Sequence, residues 1–299
     1  MRRKSIVVLA ALVGFTVLPA LTQGVLAGPE LTPRSTIAVA AGVTTTSYID
    51  SAPRNVIYVT EVLPGAPIAI KAVAASPTGQ GGTALLTTLC QAVNGRACIN
   101  GDFFNARGPL GGELVDGHWL KAADRTQQQV WVTGAGQFSL GAMPAGAVQS
   151  LGATNYAILL PGRPIAIPEH DAFADRAYAR TLVGWNGAGD RFFVTVEQGT
   201  GSAGMSLAQA AGLMQQLGAT TAVNEDGGGS SQMVVNGVRY AAPGEWARPL
   251  ANAWAIVAVT PTAPASAPAR AKGATARPSA PASAPSDSYS PSARLQATP

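Results

Sequence analysis

The chain has 299 residues, 47% of them hydrophobic and 12% charged, with two cysteines and a formal net charge of +4. The excess sits at the ends, on Arg2, Arg3 and Lys4 and on Arg270, Lys272, Arg277 and Arg294 against Asp287, which leaves the stretch from Gly28 to Thr260 at −2. No basic nucleic-acid surface follows from such a balance, while about 230 interior residues suffice for one substantial core.

Residues 1–27, "MRRKSIVVLAALVGFTVLPALTQGVLA", combine a basic start, an apolar run from Ile6 to Leu18 and small residues before Ala27. This is the pattern of a secretory signal, so a secreted or periplasmic protein is expected. The apolar run is short for a bilayer span of roughly 20 residues, so no transmembrane span is expected after cleavage; an uncleaved anchor is the other reading. Residues 28–47 read as a Thr-rich N-terminal extension, with the domain itself over 48–260.

Within the domain, "NVIYVTEVL" and "PIAIKAVAAS" read as strands joined around Pro64-Gly65, rich in β-branched residues and bounded by turn formers. "TALLTTLCQAV" is a short helix ending near Asn94-Gly95, and "ACINGDFFNARG" a strand running into a polar and aromatic loop. Cys90 and Cys98, so close in an exported chain, suggest a disulfide. Two free buried thiols are the alternative. A metal reading lacks ligands, since His118 and His170 make no ligand spacing with the cysteines and both read as loop residues.

"QQVWVTGAG" and "NYAILLPGRPIAI" are strand-like, and 135–150 is a small-residue loop. "RTLVGWNGAGDRFFVTVE" reads as a hairpin turning at Asn186 to Asp190. Its second strand puts Phe193, Thr195 and Glu197 on one face and Phe192, Val194 and Val196 on the other. In "MSLAQAAGLMQQLG", Ser206 and Gln209 form a capping box, Gly218 marks the end, and Leu207, Ala210, Ala211, Met214 and Leu217 make a core stripe.

"ATTAVN" is then a strand, followed by "NEDGGGSSQMVVNG", in which two acids precede three glycines and Asn236-Gly237 signals a hairpin. The run is a tight link between strands and no P-loop, because Gly-Lys-Ser/Thr and a following helix are absent. One reading has the bare amides of Gly227, Gly228, Gly229 and Ser230 turn inward as an anion nest beside Asp226. The other is a solvent loop needing positive φ. From Pro261, 27 of the last 39 residues are Pro, Ala or Ser, the composition of a disordered tail whose spread cations favour contact with the cell envelope.

The carboxylates Asp102, Glu197, Glu225 and Asp226 all fall at predicted strand ends, where a pair is available for acid/base or nucleophilic work on a glycosidic bond, or is simply solvated. Arg180 and Arg248 are candidates for a bidentate grip on phosphate, or ordinary ion-pair arginines. Asn100 either bonds a ligand or terminates its strand. Phe103 and Phe104 belong to the core or to a sugar-stacking platform. A serine triad is disfavoured, since Ser230 and Ser231 lack a G-x-S-x-G elbow.

In this order, "INGDFFN", "ARTLVGW", a glycine link into a capped helix, "NEDGGGSSQMVVNG" and "RPLANAWAIV" resemble the phosphodiester glycosidase family over residues 48–260, most specifically in "DGGGSS" with its hairpin. The family includes a lysosomal enzyme that removes N-acetylglucosamine from phosphodiester-linked mannose 6-phosphate. The resemblance implies a single mixed α+β domain, predominantly β with a few helices, that cleaves between an anomeric carbon and a phosphodiester oxygen. It assigns catalysis to Asp226, Glu197 and Asp102. Substrate binding falls to Asn100, Arg180, Asn224, Gly227, Gly228, Gly229, Ser230 and Arg248. Glu225 departs from the pattern, because members commonly carry an apolar residue there, and the link "EQGTGSAG" is short.

The expected substrate is a sugar-1-phosphodiester in a phosphoglycan. A binding module without catalysis and a structural envelope protein are the alternatives on the same fold. Oxygen-ligated calcium or magnesium is compatible with so many acids, but no spaced loop demands it, so a cofactor is left undecided.

Overall fold

A computed structural model describes residues 28–259 except 125, 155–156, 162–166, 168–170, 200 and 241–247. The expected signal, the tail from 261, His170 and much of "NYAILLPGRPIAI" lie outside the described residues.

A meander of β1 (Leu31–Ala40), β2 (Val43–Ser51) and β3 (Arg54–Val62) opens the chain, followed by β4 (Ile68–Ala74), α1 (Leu86–Ala92) and β5 (Gly95–Asn100). A small hairpin, β6 (Phe104–Asn105) with β7 (Gly108–Pro109), leads into β8 (Glu113–Val115), β9 (His118–Lys121), β10 (Gln129–Thr133), β11 (Phe138–Leu140) and β12 (Ala147–Gly152). The single turn α2 (Ala172–Asp175) precedes β13 (Arg180–Trp185), β14 (Arg191–Val196), β15 (Gln198–Gly199), β16 (Ser202–Ala203) and α3 (Leu207–Gln216). Last come β17 (Thr221–Asn224), β18 (Met233–Val235), β19 (Val238–Tyr240) and β20 (Asn252–Ala258).

Among the described residues three larger antiparallel sheets result, ordered β1-β2-β3-β14-β13-β17, β19-β18-β5-β20-β4 and β11-β10-β12-β8-β9, besides the two-stranded β6-β7 and β15-β16. The structure is the expected mixed, mostly β fold with short helices, and among the described residues no sheet closes into a barrel. Alternation along the strands sorts the apolar side chains into layers. Val183, Phe193 and Val223 of the six-stranded sheet meet Ile99, Met233 and Trp254 of the second sheet, with Val130, Val132 and Leu151 of the third closing the same core. On the outer face of the six-stranded sheet, Leu182, Phe192, Val194 and Val196 pack against α3. On the outer face of the second sheet, Val73, Val234 and Ala253 pack against α1.

The local signals explain the helices. In α3 the Ser206 hydroxyl accepts from Gln209 N–H and the Gln209 side chain accepts from Ser206 N–H, a reciprocal cap worth about 1 kcal/mol. In α1 the buried face carries Leu86, Leu89 and Cys90, and Cys90 is disulfide-bonded to Cys98 of β5, with Cα atoms 5.8 Å apart. Gly95 makes room for the bridge, because a Cβ there would meet the two Sγ atoms at 2.5 and 2.7 Å.

Three sequence expectations need correction. Residues 28–47 are more than an extension: β1 and most of β2 lie there, and β2 pairs with β3 over its whole length. Threonine has high β propensity, and facing polar rows such as Thr45 Oγ1 and Thr60 Oγ1, 2.8 Å apart, support the pairing without apolar alternation. The stretch 135–150 contains β11 and the start of β12. Its pattern is hidden by Gln149, which is buried because its side chain accepts from Ala72 and Asp116 N–H and donates to the Asp116 carboxylate. His118 opens strand β9 after a tight turn at Asp116-Gly117 and is exposed there.

Candidate active site

The ends of β5 and β17 lie side by side, and the chemistry collects where they stop. Asp226 N–H donates to the Gly101 carbonyl at 3.0 Å, which ties the glycine run to the loop after β5. Asn100, 1% exposed, joins three segments: its Nδ2 donates to the Asp226 carbonyl at 2.7 Å, and its Oδ1 accepts from Thr181 Oγ1 at 2.6 Å and Gln232 N–H at 3.0 Å. Its amide group is occupied within the protein, so its position here is that of a cross-link rather than of a ligand contact.

Asp226 itself is half-buried. Desolvation raises its carboxyl pKa, opposed by the Ser230 hydroxyl, by Arg248 and by the Gly227 N–H, which donates to Oδ1 at 2.9 Å. Arg248 is exposed and lies over the Phe104 ring, 4.6 Å from its centroid, a cation–π contact that fixes the guanidinium while leaving its edge open. Phe104 is thus a platform for a cation, and also packs on the α1 core.

Behind Asp226 stand three buried acids. Asp102 is 2% exposed; burial pushes its carboxyl up to about 8, opposed by the Gly111 N–H bonded to Oδ2 at 2.5 Å and by Lys121. Glu225 is fully buried and accepts from Trp254 Nε1 at 2.9 Å; burial drives its pKa well above the usual range, and Asp102 and Asp226 add to the rise. Glu113 is raised to about 7 by burial, against Asn252 and Lys121. Asn252 links the group, its Oδ1 accepting from Asp102 N–H at 2.9 Å and its Nδ2 donating to Glu113 Oε1 at 3.0 Å. Burial in low dielectric thus favours the protonated form of all three carboxyls. Glycines make the room: a Cβ at Gly111 or Gly152 would meet Asp102 Oδ2 at 2.8 or 2.7 Å, and one at Gly101 would meet Asn252 Oδ1 at 2.5 Å.

The three consecutive glycines have three different reasons. A Cβ on Gly227 would lie 2.9 Å from the Ala179 carbonyl, Gly228 has φ +55°, and around Gly229 nothing lies within 4 Å. Open space beside Gly228 and Gly229 lets a ligand reach the backbone next to Asp226. The inward amide nest is only partly built: Gly228 N–H is bonded to the Ala179 carbonyl, Ser230 N–H to Gly227 and Ser231 N–H to Gly228, closing a short 3₁₀ turn. Ser230 is buried under this turn.

Other expected site residues are buried against the protein or set apart. Arg180 is 0% exposed, donating to the carbonyls of Met205, Phe173 and Arg176, with its guanidinium 4.7 and 5.2 Å from the Phe173 and Tyr178 rings. It knits the 171–178 segment to β13, and loop carbonyls stand where a phosphate was expected. Asn224 is also fully buried, its Nδ2 bonded to the Glu225 carbonyl. Glu197 follows β14, two strands from β17, or roughly 10 Å at ordinary strand spacing. Burial raises its carboxyl pKa against the Tyr58 hydroxyl that bonds to it, and Tyr58 is in turn pushed up to about 12. The structure therefore brings together Asp226, Asp102, Asn100, Arg248 and the glycine turn, and sets Glu197 apart. Glu113 and Asn252 were missed by sequence reasoning; the only signal was a polar residue inside "ELV" and "ANAWAIV".

Among the described residues no three of His, Cys, Asp and Glu converge as a metal-binding set, and no helix is long and apolar enough to cross a membrane.

Comparison with solved structures places this fold among known ones. A hypothetical protein from Synechocystis matches with a TM-score of 0.65 at 18% identity, over 78% of this chain and 64% of that one. The catalytic domain of zebrafish N-acetylglucosamine-1-phosphodiester alpha-N-acetylglucosaminidase, auto-inhibited by its pro-peptide, matches with a TM-score of 0.59 at 20% identity, over 77% and 84%. A putative exported protein from Burkholderia pseudomallei matches with a TM-score of 0.52 at 15% identity, over 73% and 76%. No curated protein matches the sequence. Residues 94–257, which include both strand ends and the glycine turn, match the phosphodiester glycosidase family model, and the chain belongs to that family.

Proposed function

We propose that the protein is an exported hydrolase that cleaves the sugar C1–O bond of a sugar-1-phosphodiester in a cell-surface or extracellular glycopolymer. One observation carries the reading: a half-buried carboxyl, Asp226, stands between an exposed, ring-supported Arg248 and an unobstructed glycine turn. Family membership and the signal-like N-terminus support it.

The reaction adds water across the bond, giving a free sugar and a phosphate monoester. The leaving group is already a stable anion, so it needs charge support more than protonation. Arg248 would hold the phosphate, and the Asp226 carboxylate would support the positive charge that develops on the sugar ring. Burial of Asp226, against the Ser230 hydroxyl, Arg248 and the Gly227 N–H, sets its ionisation. Asn100 and Asn252 hold these groups in place. Glu197, two strands from β17, is given no role in this step. The name of the zebrafish relative makes N-acetylglucosamine the first sugar to try.

The test uses the full chain with chromogenic N-acetylglucosamine 1-phosphodiester and with the corresponding phosphate-free glycoside, with and without chelator. Release from the diester alone supports the proposal, and the chelator arm decides on a divalent ion. Binding of the diester without release would mean a glycan-binding module.

A further inference from the structure

Beside the β6–β7 hairpin lies an open cleft of about 820 Å³, lined by Gln80, Asn105, Arg107, Leu110, Lys121 and Asp124 among others. Its walls are backbone in tight contact. Gly81 N–H donates to the Arg107 carbonyl at 2.9 Å, and Cβ atoms at Gly79 and Gly108 would meet the carbonyls of Leu120 and Gly79 at 2.6 and 2.8 Å. Lys121 closes one side, its ammonium donating to the carbonyls of Pro109 and Leu110. Arg107 is exposed, and among the described residues its guanidinium has no acidic partner. Asp124 is the single acid on this lining, against two cations.

The cleft adjoins the candidate active site. Leu110, on its lining, precedes the Gly111 whose N–H binds Asp102, and Lys121 lowers the pKa values of both Asp102 and Glu113. Leu110 also borders a smaller hollow of about 170 Å³ formed with Phe103, Gln127, Thr154 and Phe173. An open trough with two cations against one acid on its lining suits a hydrated anionic chain better than an apolar ligand. A single diester needs one cation, which Arg248 supplies. A phosphate-linked glycan carries another negative charge on every repeat.

We infer that this cleft is a second substrate subsite, in which Arg107, with Lys121 behind it, takes the phosphate of a neighbouring repeat in a phosphate-linked glycan. The inference rests on the function proposed above and defines the substrate class as a polymer rather than an isolated diester.

Full-length wild type, Arg107→Ala and Arg107→Glu are compared on the chromogenic single diester and on a synthetic trimer of N-acetylglucosamine 1-phosphate. The expected result is a KM for the trimer raised about tenfold by Arg107→Ala, or about 1.4 kcal/mol, and further by Arg107→Glu, with kcat unchanged. The single diester should be turned over as by wild type, which also shows that the variants fold. The trimer effect should shrink in high salt. An equal change on both substrates, or none on the trimer, overturns the subsite. If wild type cleaves neither substrate, the proposed function falls, and equilibrium binding of the trimer then decides: about tenfold weaker binding by Arg107→Ala sustains the subsite, and equal or absent binding refutes it.

Discussion

Replacing Asn100 with alanine tests whether this residue is a cross-link or a ligand contact. The substitution removes three hydrogen bonds and leaves the Asp226 carbonyl, the Thr181 hydroxyl and Gln232 N–H without their partner. Thr181 and Gln232 are both buried. Each stranded buried group costs about 1–3 kcal/mol; with partial relaxation and non-additivity at one site, about 3–5 kcal/mol is expected in total. This is a large share of the roughly 5–15 kcal/mol that holds a domain folded. Urea unfolding followed by tryptophan fluorescence should show a midpoint displaced by that amount with an unchanged slope. Asn100→Asp should also destabilise, because it turns an acceptor toward the Asp226 carbonyl. A loss below about 1 kcal/mol for Asn100→Ala, with selective loss of substrate affinity, would refute the cross-link and return Asn100 to the binding surface.

Asp102 bears on pH dependence. Its folded pKa near 8 lies above the unfolded value of about 3.9, so its contribution is present at low pH and is lost as pH rises through about 8. Wild type should lose stability from pH 5 to pH 8, at up to about 1.4 kcal/mol per pH unit from this group, and Asp102→Asn should make the profile less steep, the remaining slope coming from Glu113 and Glu225; stability rising over that range would contradict the burial assigned to it. The glycine run should respond position by position: Gly228→Ala should cost about 1–2 kcal/mol for its positive φ, Gly227→Ala should destabilise through the Ala179 carbonyl, and Gly229→Ala should fold as wild type but turn over the diester poorly. Thermal melts and kinetics on the three variants separate these outcomes. Arg248→Ala should raise KM for the diester about 10- to 100-fold, as a charged hydrogen-bonding group is worth about 1.5–3 kcal/mol, without affecting a phosphate-free ligand, and Arg248→Lys should fall between.

Elements with local chemistry were legible in the sequence. The Ser206/Gln209 cap, the Asn236-Gly237 turn and the alternation of Phe192 to Val196 each follow from a few neighbouring residues, and all appear in the structure. The Thr-rich strands β1 and β2 were not legible, because their pairing with each other and with β3 rests on facing polar rows and their exposed faces carry no apolar period. The candidate site was legible in its position, at the ends of β5 and β17, since carboxylates and glycines at strand ends mark it. Roles within it were not. Arg180 and Asn224 have polar side chains but are buried in the protein, Arg180 donating to the carbonyls of Met205 and Phe173 and Asn224 to that of Glu225. Glu113 and Asn252 take meaning only from each other, and residues 139 positions apart leave no pattern in sequence. Glu225, out of place beside apolar neighbours, is explained by the indole of Trp254.

The measurement closest to the central claim is kcat/KM of wild type and Asp226→Asn on the chromogenic N-acetylglucosamine 1-phosphodiester. Asparagine preserves the shape of the turn but removes the charge, so the variant should fold as wild type, retain its KM within a few-fold and lose at least about a hundredfold in kcat. Turnover by Asp226→Asn equal to that of wild type would show that the reacting carboxylate lies elsewhere, and the active site assigned to the ends of β5 and β17 would be wrong.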